Sequence, residues 1–290
     1  MDKGDLRSVN VLSHNQPSPW RSSLLLAAAL AACLGVRVWL VFHAETITKD
    51  GVGYIEMASR WSADPADALE NVALQPGYPA AISWMHAVIL SFGGPTDITG
   101  WDLAGQATSL VASVAAMLAV WFFACALMNR RIALIAVLLF SLARKWSADG
   151  ADVIADPMAV CLQMWAMVTA LWVLRLLRSG CVAAMCLAAV TGVLCTGAYY
   201  VRTETVHVVV VIAVCWLICG GLLDRKLAPA LAATGVMLLV VAICTVPFML
   251  WIGAPTNDAV FARFTTQRPG AAAPGQNSAL GFADAPRSQL

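Results

Sequence analysis

The tightest constraint on this chain is a succession of apolar runs that begins at Leu24 and ends at Ile252, with only short polar loops between them. The runs are Leu24–Phe42, Tyr78–Phe92, Leu103–Leu127, Ile132–Trp146, Pro157–Leu177, Cys181–Tyr200, Val206–Leu223 and Leu227–Ile252. Crossing a hydrocarbon layer of ~30 Å takes about 20 apolar residues in a helix, and most of the runs approach or exceed that length. Only 12% of the 290 residues are charged, against about 25% in soluble domains, and the mean hydropathy is +0.75. The expected fold is therefore an all-α, polytopic integral membrane protein with seven or eight transmembrane helices. Residues 1–20 read as a disordered cytoplasmic lead, 21–255 as the membrane domain and 256–290 as a disordered polar tail rich in Ala, Gly, Pro and Ser.

The first run is longer than the apolar core of a signal peptide and contains Arg37 before any cleavage site, so it reads as an uncleaved span. Arg37 either snorkels to the interface or is a cation aimed at an anionic substrate. Arg130-Arg131, Arg175 with Arg178, and Arg225-Lys226 mark three loops as cytoplasmic by the positive-inside rule. The loop 43–77 holds six acids (Glu45, Asp50, Glu56, Asp64, Asp67, Glu70) against Lys49 and Arg60, which suits the opposite side. Tyr78–Phe92, at 15 residues, disturbs the alternation. It is expected to be short or re-entrant, with Arg130-Arg131 on the outer side as the alternative.

A net charge of +1 with no basic face argues against a nucleic-acid partner. The nine cysteines lie in or beside apolar runs without a CxxC pair, so neither a zinc nor a disulfide framework is expected. The lipid bilayer is the one partner that composition demands.

Ionisable residues near membrane depth are costly and so mark functional candidates. Three groups sit beside outer loops. Asp50 is expected to cap a surface helix running to about Trp61, with Tyr54 and Ala58 on its face; the turn Gln75-Pro76-Gly77-Tyr78-Pro79 follows. Asp149, Asp152 and Asp156 are spaced three and four apart, and share a face if helical. Arg202 and Glu204 open the run from Val206. A carboxylate can take a hydroxyl proton and an arginine can neutralise a phosphate. Each group also has a plain structural reading. Asp156 before Pro157 fits a helix start, Arg202 and Glu204 fit interfacial flankers, and Pro76 and Pro79 fit a chain break. Trp101, Trp146 and Trp251 fit an aromatic belt. His43 and Gln75 carry little weight as metal ligands.

The order of these segments resembles the GT-C glycosyltransferases, in the branch of the protein O-mannosyltransferases and the aminoarabinose (lipid A) transferases. The resemblance covers roughly residues 20–255. It rests on Asp50-x-x-x-Tyr54-x-x-x-Ala58, on Gln75-Pro76-Gly77-Tyr78-Pro79, on Ser147 through Asp156-Pro157, and on Gly197-Ala198-Tyr199-Tyr200-Val201-Arg202-Thr203-Glu204. It implies a multi-spanning, inverting enzyme of a bacterial inner or plasma membrane. Such an enzyme uses a polyprenyl-phosphate-linked sugar and a lipid, glycan or protein acceptor on the non-cytoplasmic face. It implies Asp50 as general base, Asp156 as a second catalytic-site acid that shapes the site or binds acceptor, and Arg202 as the contact to the lipid phosphate. Tyr54, Gln75, Tyr78, Asp152 and Glu204 then line the substrate site. Many members have His or Glu where Gln75 stands, and some have Glu where Gly51 stands. A divalent metal is left open, with no ligand assigned to either position.

Members usually continue with further spans, so this chain is expected to be C-terminally short. Two rivals follow: a transporter or flippase for a lipid-linked solute, and an inactive, truncated GT-C scaffold.

Overall fold

The computed structural model describes residues 19–43, 48–70, 75–177, 181–223 and 226–252. Most of the 1–20 lead, Arg178, Arg225 and the 256–290 tail lie outside the described residues. So does the Trp251 side chain.

Every described element is helical: α1 (Pro19–His43), α2 (Lys49–Ala63), α3 (Pro65–Glu70), α4 (Gly77–Ser91), α5 (Ile98–Leu127), α6 (Arg130–Leu142), α7 (Arg144–Asp149), α8 (Asp156–Leu176), α9 (Cys181–Val201), α10 (Val206–Cys215) and α11 (Leu227–Ile252). A 3-10 turn at Thr203–Thr205 leads into α10, which continues as a π-helical stretch over Trp216–Leu223. Six helices are long and apolar enough to cross a membrane: α1, α5, α8, α9, α10 with its continuation, and α11. The chain is an all-α polytopic membrane protein. Local chemistry sets several helix starts, because Asp97 accepts the Thr99 and Gly100 amides ahead of α5 and Asn129 accepts those of Arg131 and Ile132 ahead of α6.

Cross-helix contacts fix how the spans run. Trp165 Nε1 donates to Ala115 O at 3.2 Å, and the Arg175 guanidinium donates to Ala126 O, so α8 runs parallel to the second half of α5. Thr191 donates to Thr169 at mid-span, where α9 returns beside α8. Trp216 Nε1 reaches Ala170 O at 3.0 Å, and Lys226 Nζ reaches Leu177 O at 3.2 Å. Arg130-Arg131, Arg175 and Lys226 therefore share one end of the bundle, as the basic loops require. The inner core, between α8, α9, α10 and α11, is built on Ala166, Val173, Ala188, Ile212, Trp216 and Met237.

The odd run, α4, has 15 residues and is not among the helices long and apolar enough to cross a membrane. The Tyr78 hydroxyl at its start donates to Gly105 O at 3.2 Å, while His86 two turns later stacks on Trp101 with ring centroids 3.7 Å apart. α4 thus runs antiparallel to the first half of α5 and forms a hairpin with it. α5 has 30 residues and is about 45 Å long, long enough to span and still support this hairpin. Arg130-Arg131 lies at the same end of the bundle as Arg175 and Lys226.

The run Ile132–Trp146 is broken at Ala143, which is extended, so α6 ends at Leu142 and α7 follows as a separate short helix. At 13 residues α6 is below spanning length, but α6 and α7 together carry the chain back from the basic end. Ala133 and Val137 pack with Met117, Trp121 and Cys33, and Gly150 lies against Arg37 and Ser113.

Candidate functional site

The acid groups lie at the end opposite the basic loops. There α2, the start of α4, the first half of α5, the turn 150–155 with the start of α8, and the α9–α10 junction form one buried cluster. Tyr54, Ile55, Ala58, Tyr78, Ile82, Ala104, Val153, Ala155, Ala159 and Val201 make it up.

Asp50 is in the first turn of α2 but is not its cap. Thr48, with extended backbone, accepts the Gly51 amide at 3.3 Å. A threonine hydroxyl satisfies the orphan amide and leaves the Asp50 carboxylate exposed. One turn on, Tyr54 and Ala58 are buried while Asp50 is not, so the stripe expected over these three is split between core and solvent. Tyr54 packs edge-on against Tyr78, with centroids 4.9 Å apart. Burial pushes the Tyr54 phenol up from its ordinary value. Arg202 opposes that shift, and the negative charges of Asp50 and Glu204 add to it. One phenol is therefore within electrostatic reach of groups from α2 and from the α9–α10 junction.

Asp149, Asp152 and Asp156 do not share a helical face. Asp149 ends α7, Gly150 follows, and residues 150–155 form an irregular turn before α8. Asp152 folds back to accept the Val153 amide at 2.7 Å. Asp156 stands in the first turn of α8 beside Pro157, with Ala155 in the cap position, and its carboxylate takes Arg202 Nη1. Arg202 Nε donates to Glu204 at 2.9 Å. The pair is partly open, with Arg202 40%, Asp156 24% and Glu204 63% exposed. Arg202 is thus clamped between two carboxylates rather than presenting an unshared guanidinium.

Tyr78 is fully buried. Ser109 Oγ donates to Ile154 O at 3.1 Å, and the Tyr78 hydroxyl lies 2.6 Å from that same Oγ. Its place is beneath the site, tying α4 and α5 to the turn that leads into Asp156, and not on a substrate-facing wall. Gln75 lies in the turn ahead of α4 and is half-buried.

Three glycines let these segments touch. A Cβ on Gly77 would stand 2.8 Å from Tyr200 C and O, one on Gly105 2.7 Å from the Val153 side chain, and one on Gly150 2.7 Å from Arg37 Nε.

Sequence reasoning missed Ser109, His86 and Asp102. Asp102 has a buried oxygen without a partner and lies near enough to Asp152 for their charges to repel. The signal for Ser109 was present in Gly105, Ser109, Ala112, Ser113 and Ala116, a stripe of small and hydroxyl residues through an apolar helix. Trp101 and Trp146, both half-buried, have aromatic neighbours. Trp101 stacks on His86, and Trp146 packs on Phe140 with centroids 4.6 Å apart.

Arg37 does not snorkel. It is 1% exposed and turned into the seam between α1, α5 and Gly150. Among the described residues, no three His, Cys, Asp or Glu side chains are placed to hold a metal ion. The fold and the site define an all-α, multi-spanning membrane protein with a polar, acid-rich site at one end of its bundle. No protein-family model and no curated protein matches the chain.

Proposed function

We propose that the chain is a membrane glycosyltransferase of the GT-C kind. It would move a sugar from a polyprenyl-phosphate donor to a lipid, glycan or protein acceptor at the non-cytoplasmic face of a bacterial inner or plasma membrane. The observation that carries the reading is the buried Tyr54 phenol, which feels the charges of Asp50, Arg202 and Glu204 while Arg202 is paired to both Asp156 and Glu204.

In this reading Asp50, exposed at the start of α2, takes the proton of the acceptor hydroxyl as its oxygen attacks the anomeric carbon from the face opposite the phosphate. The new carbon–oxygen bond forms as the bond to phosphate breaks, and the lipid phosphate leaves with the electron pair. Configuration at the anomeric carbon inverts. Asp156 and Glu204, fixed by Arg202, shape the acceptor side. Tyr78 and Ser109 hold the turn that carries Asp156.

A flippase reading is less well supported. Transporters place coupling charges near the midplane, whereas these acids sit at helix ends.

The test is Asp50→Asn, which keeps shape and removes basicity. Membranes are incubated with a panel of labelled polyprenyl-phosphate sugars. Transfer should fall by about 10²–10⁴-fold, the usual contribution of a general base, at wild-type expression. Retained turnover would sink the assignment.

A further inference from the structure

Arg37 has no use in the scheme above, yet its state is the least comfortable in the molecule. It sits six residues, about 9 Å along the helix, inward of His43 at the end of α1. It is 1% exposed. Nη1 makes two weak contacts, to Cys33 O at 3.4 Å and to Met117 Sδ at 3.9 Å. Among the described residues, Nε and Nη2 have no hydrogen-bond partner. Among the described residues, no carboxylate forms an ion pair with it. A bare guanidinium at this depth is strongly unfavourable, and arginines inside membranes are normally paired or face a substrate path.

We infer that Arg37 is an anion-binding group, and that a phosphate-bearing lipid seats its phosphate on the unpaired Nε and Nη2, in the seam between α1, α5 and Gly150. The guanidinium fork matches phosphate oxygens two at a time. Arg202 serves this purpose less well, because two of its donors already hold Asp156 and Glu204 and any phosphate there would meet those carboxylates. Entry is lateral. α1 is the least buried of the six spans and packs mainly on α5, α6 and α7. A small displacement of α1 from Gly150 opens the seam to lipid, so the ligand arrives from the bilayer. The anion site stands on these contacts alone. Only the polyprenyl identity of the lipid rests on the proposed transferase function.

The experiment uses the full chain in phosphatidylcholine nanodiscs. Thermal stability is followed during titration with polyprenyl monophosphate, polyprenol, phosphatidylglycerol or inorganic phosphate. Polyprenyl monophosphate should raise Tm saturably and polyprenol should not. Arg37→Met should fold with an unliganded Tm equal to or above wild type, since an apolar chain of similar length replaces an unpaired charge, and its apparent Kd should weaken at least tenfold. Saturation by phosphatidylglycerol or inorganic phosphate alone, abolished by Arg37→Met, keeps the anion site and overturns the polyprenyl ligand. Unchanged Kd in Arg37→Met, equal response to polyprenol, or an Arg37→Met chain that unfolds overturns the proposal. Sugar transfer measured on the same samples separates the two readings. Absent transfer with Arg37-dependent binding removes the transferase and leaves this site, and intact transfer with Arg37-independent binding does the reverse.

Discussion

Replacing Gly77 by alanine tests the joint on which the site is assembled. The added Cβ would lie 2.8 Å from both the carbonyl carbon and oxygen of Tyr200 and 3.0 Å from the Val201 amide nitrogen. All three are backbone atoms, so no side chain can swing away. The start of α4 must lift from the end of α9 by about half an ångström to reach ordinary contact, and overpacking of this kind costs about 1–3 kcal/mol. The gain from putting alanine in place of glycine in a helix is at most ~1 kcal/mol, and smaller at a first residue. A net loss of about 1–2 kcal/mol is expected. Gly35→Ala is the control, because a Cβ there meets nothing within 4 Å. It should be neutral or stabilising by up to about 1 kcal/mol. Reversible unfolding in mixed micelles reads both variants on one scale. If Gly77→Ala matches Gly35→Ala, α4 and α9 do not touch as described, and the support beneath Arg202 goes with that contact.

Two further outcomes follow from the contacts around the tyrosines. Titration of the Tyr54 phenol, by difference spectra against Tyr54→Phe, should find its midpoint above that of an ordinary phenol. Asp50→Asn should bring the midpoint down and Arg202→Gln should take it up, and no response to either would mean that α2 and the α9–α10 junction do not share a site. Because the folded chain holds this proton more tightly than the unfolded one, the associated stability is complete below pH 10 and is lost as pH rises through the raised value. Tyr78→Phe removes the hydroxyl whose hydrogen is shared between Ser109 Oγ and Gly105 O, and should cost about 1–1.5 kcal/mol. Combined with Ser109→Ala, the loss should fall short of the sum by at least about 0.5 kcal/mol, and strict additivity would break the proposed chain to Ile154.

Much of the bundle was legible because membrane spans are written in length and apolarity. The runs Pro157–Leu177, Cys181–Tyr200 and Leu227–Ile252 agree with α8, α9 and α11 to within a residue or two at each end. What was not legible depends on contacts between distant segments. The 15 residues of α4 look like a poor span, and only the pairing of Tyr78 with Gly105 and of His86 with Trp101 shows that they turn back along α5. The triplet Asp149, Asp152, Asp156 has helical spacing, but Gly150 and Pro157 punctuate it, and the turn between them packs Val153 against Gly105. Asp50 and Thr48 are both competent caps. The threonine takes the role, which frees the carboxylate. Arg37 looked like an interfacial anchor because its place near a helix end says nothing of the direction in which its side chain turns.

Several of the contacts that the pattern of apolar runs does not show are made at glycines. Three close approaches at glycines (Gly77 on the Tyr200 backbone, Gly105 on the Val153 side chain, Gly150 on the Arg37 side chain) join α4 to α9, α5 to the turn before α8, and that turn to α1. Tyr78 and Ser109 are buried and hydrogen-bonded, whereas Asp50 and Glu204 are exposed and Asp156 is half-open. A close-packed floor restricts the positions of the charged groups it carries, which in the proposed transferase would leave little reorganisation to be made when an acceptor arrives. Loosening any one of the three glycine contacts should therefore disturb acids contributed by the other segments. A substitution at Gly105, remote in sequence from Asp50 and Arg202, should shift the Tyr54 titration as Gly77→Ala does. A site made of independent loops would not show that coupling.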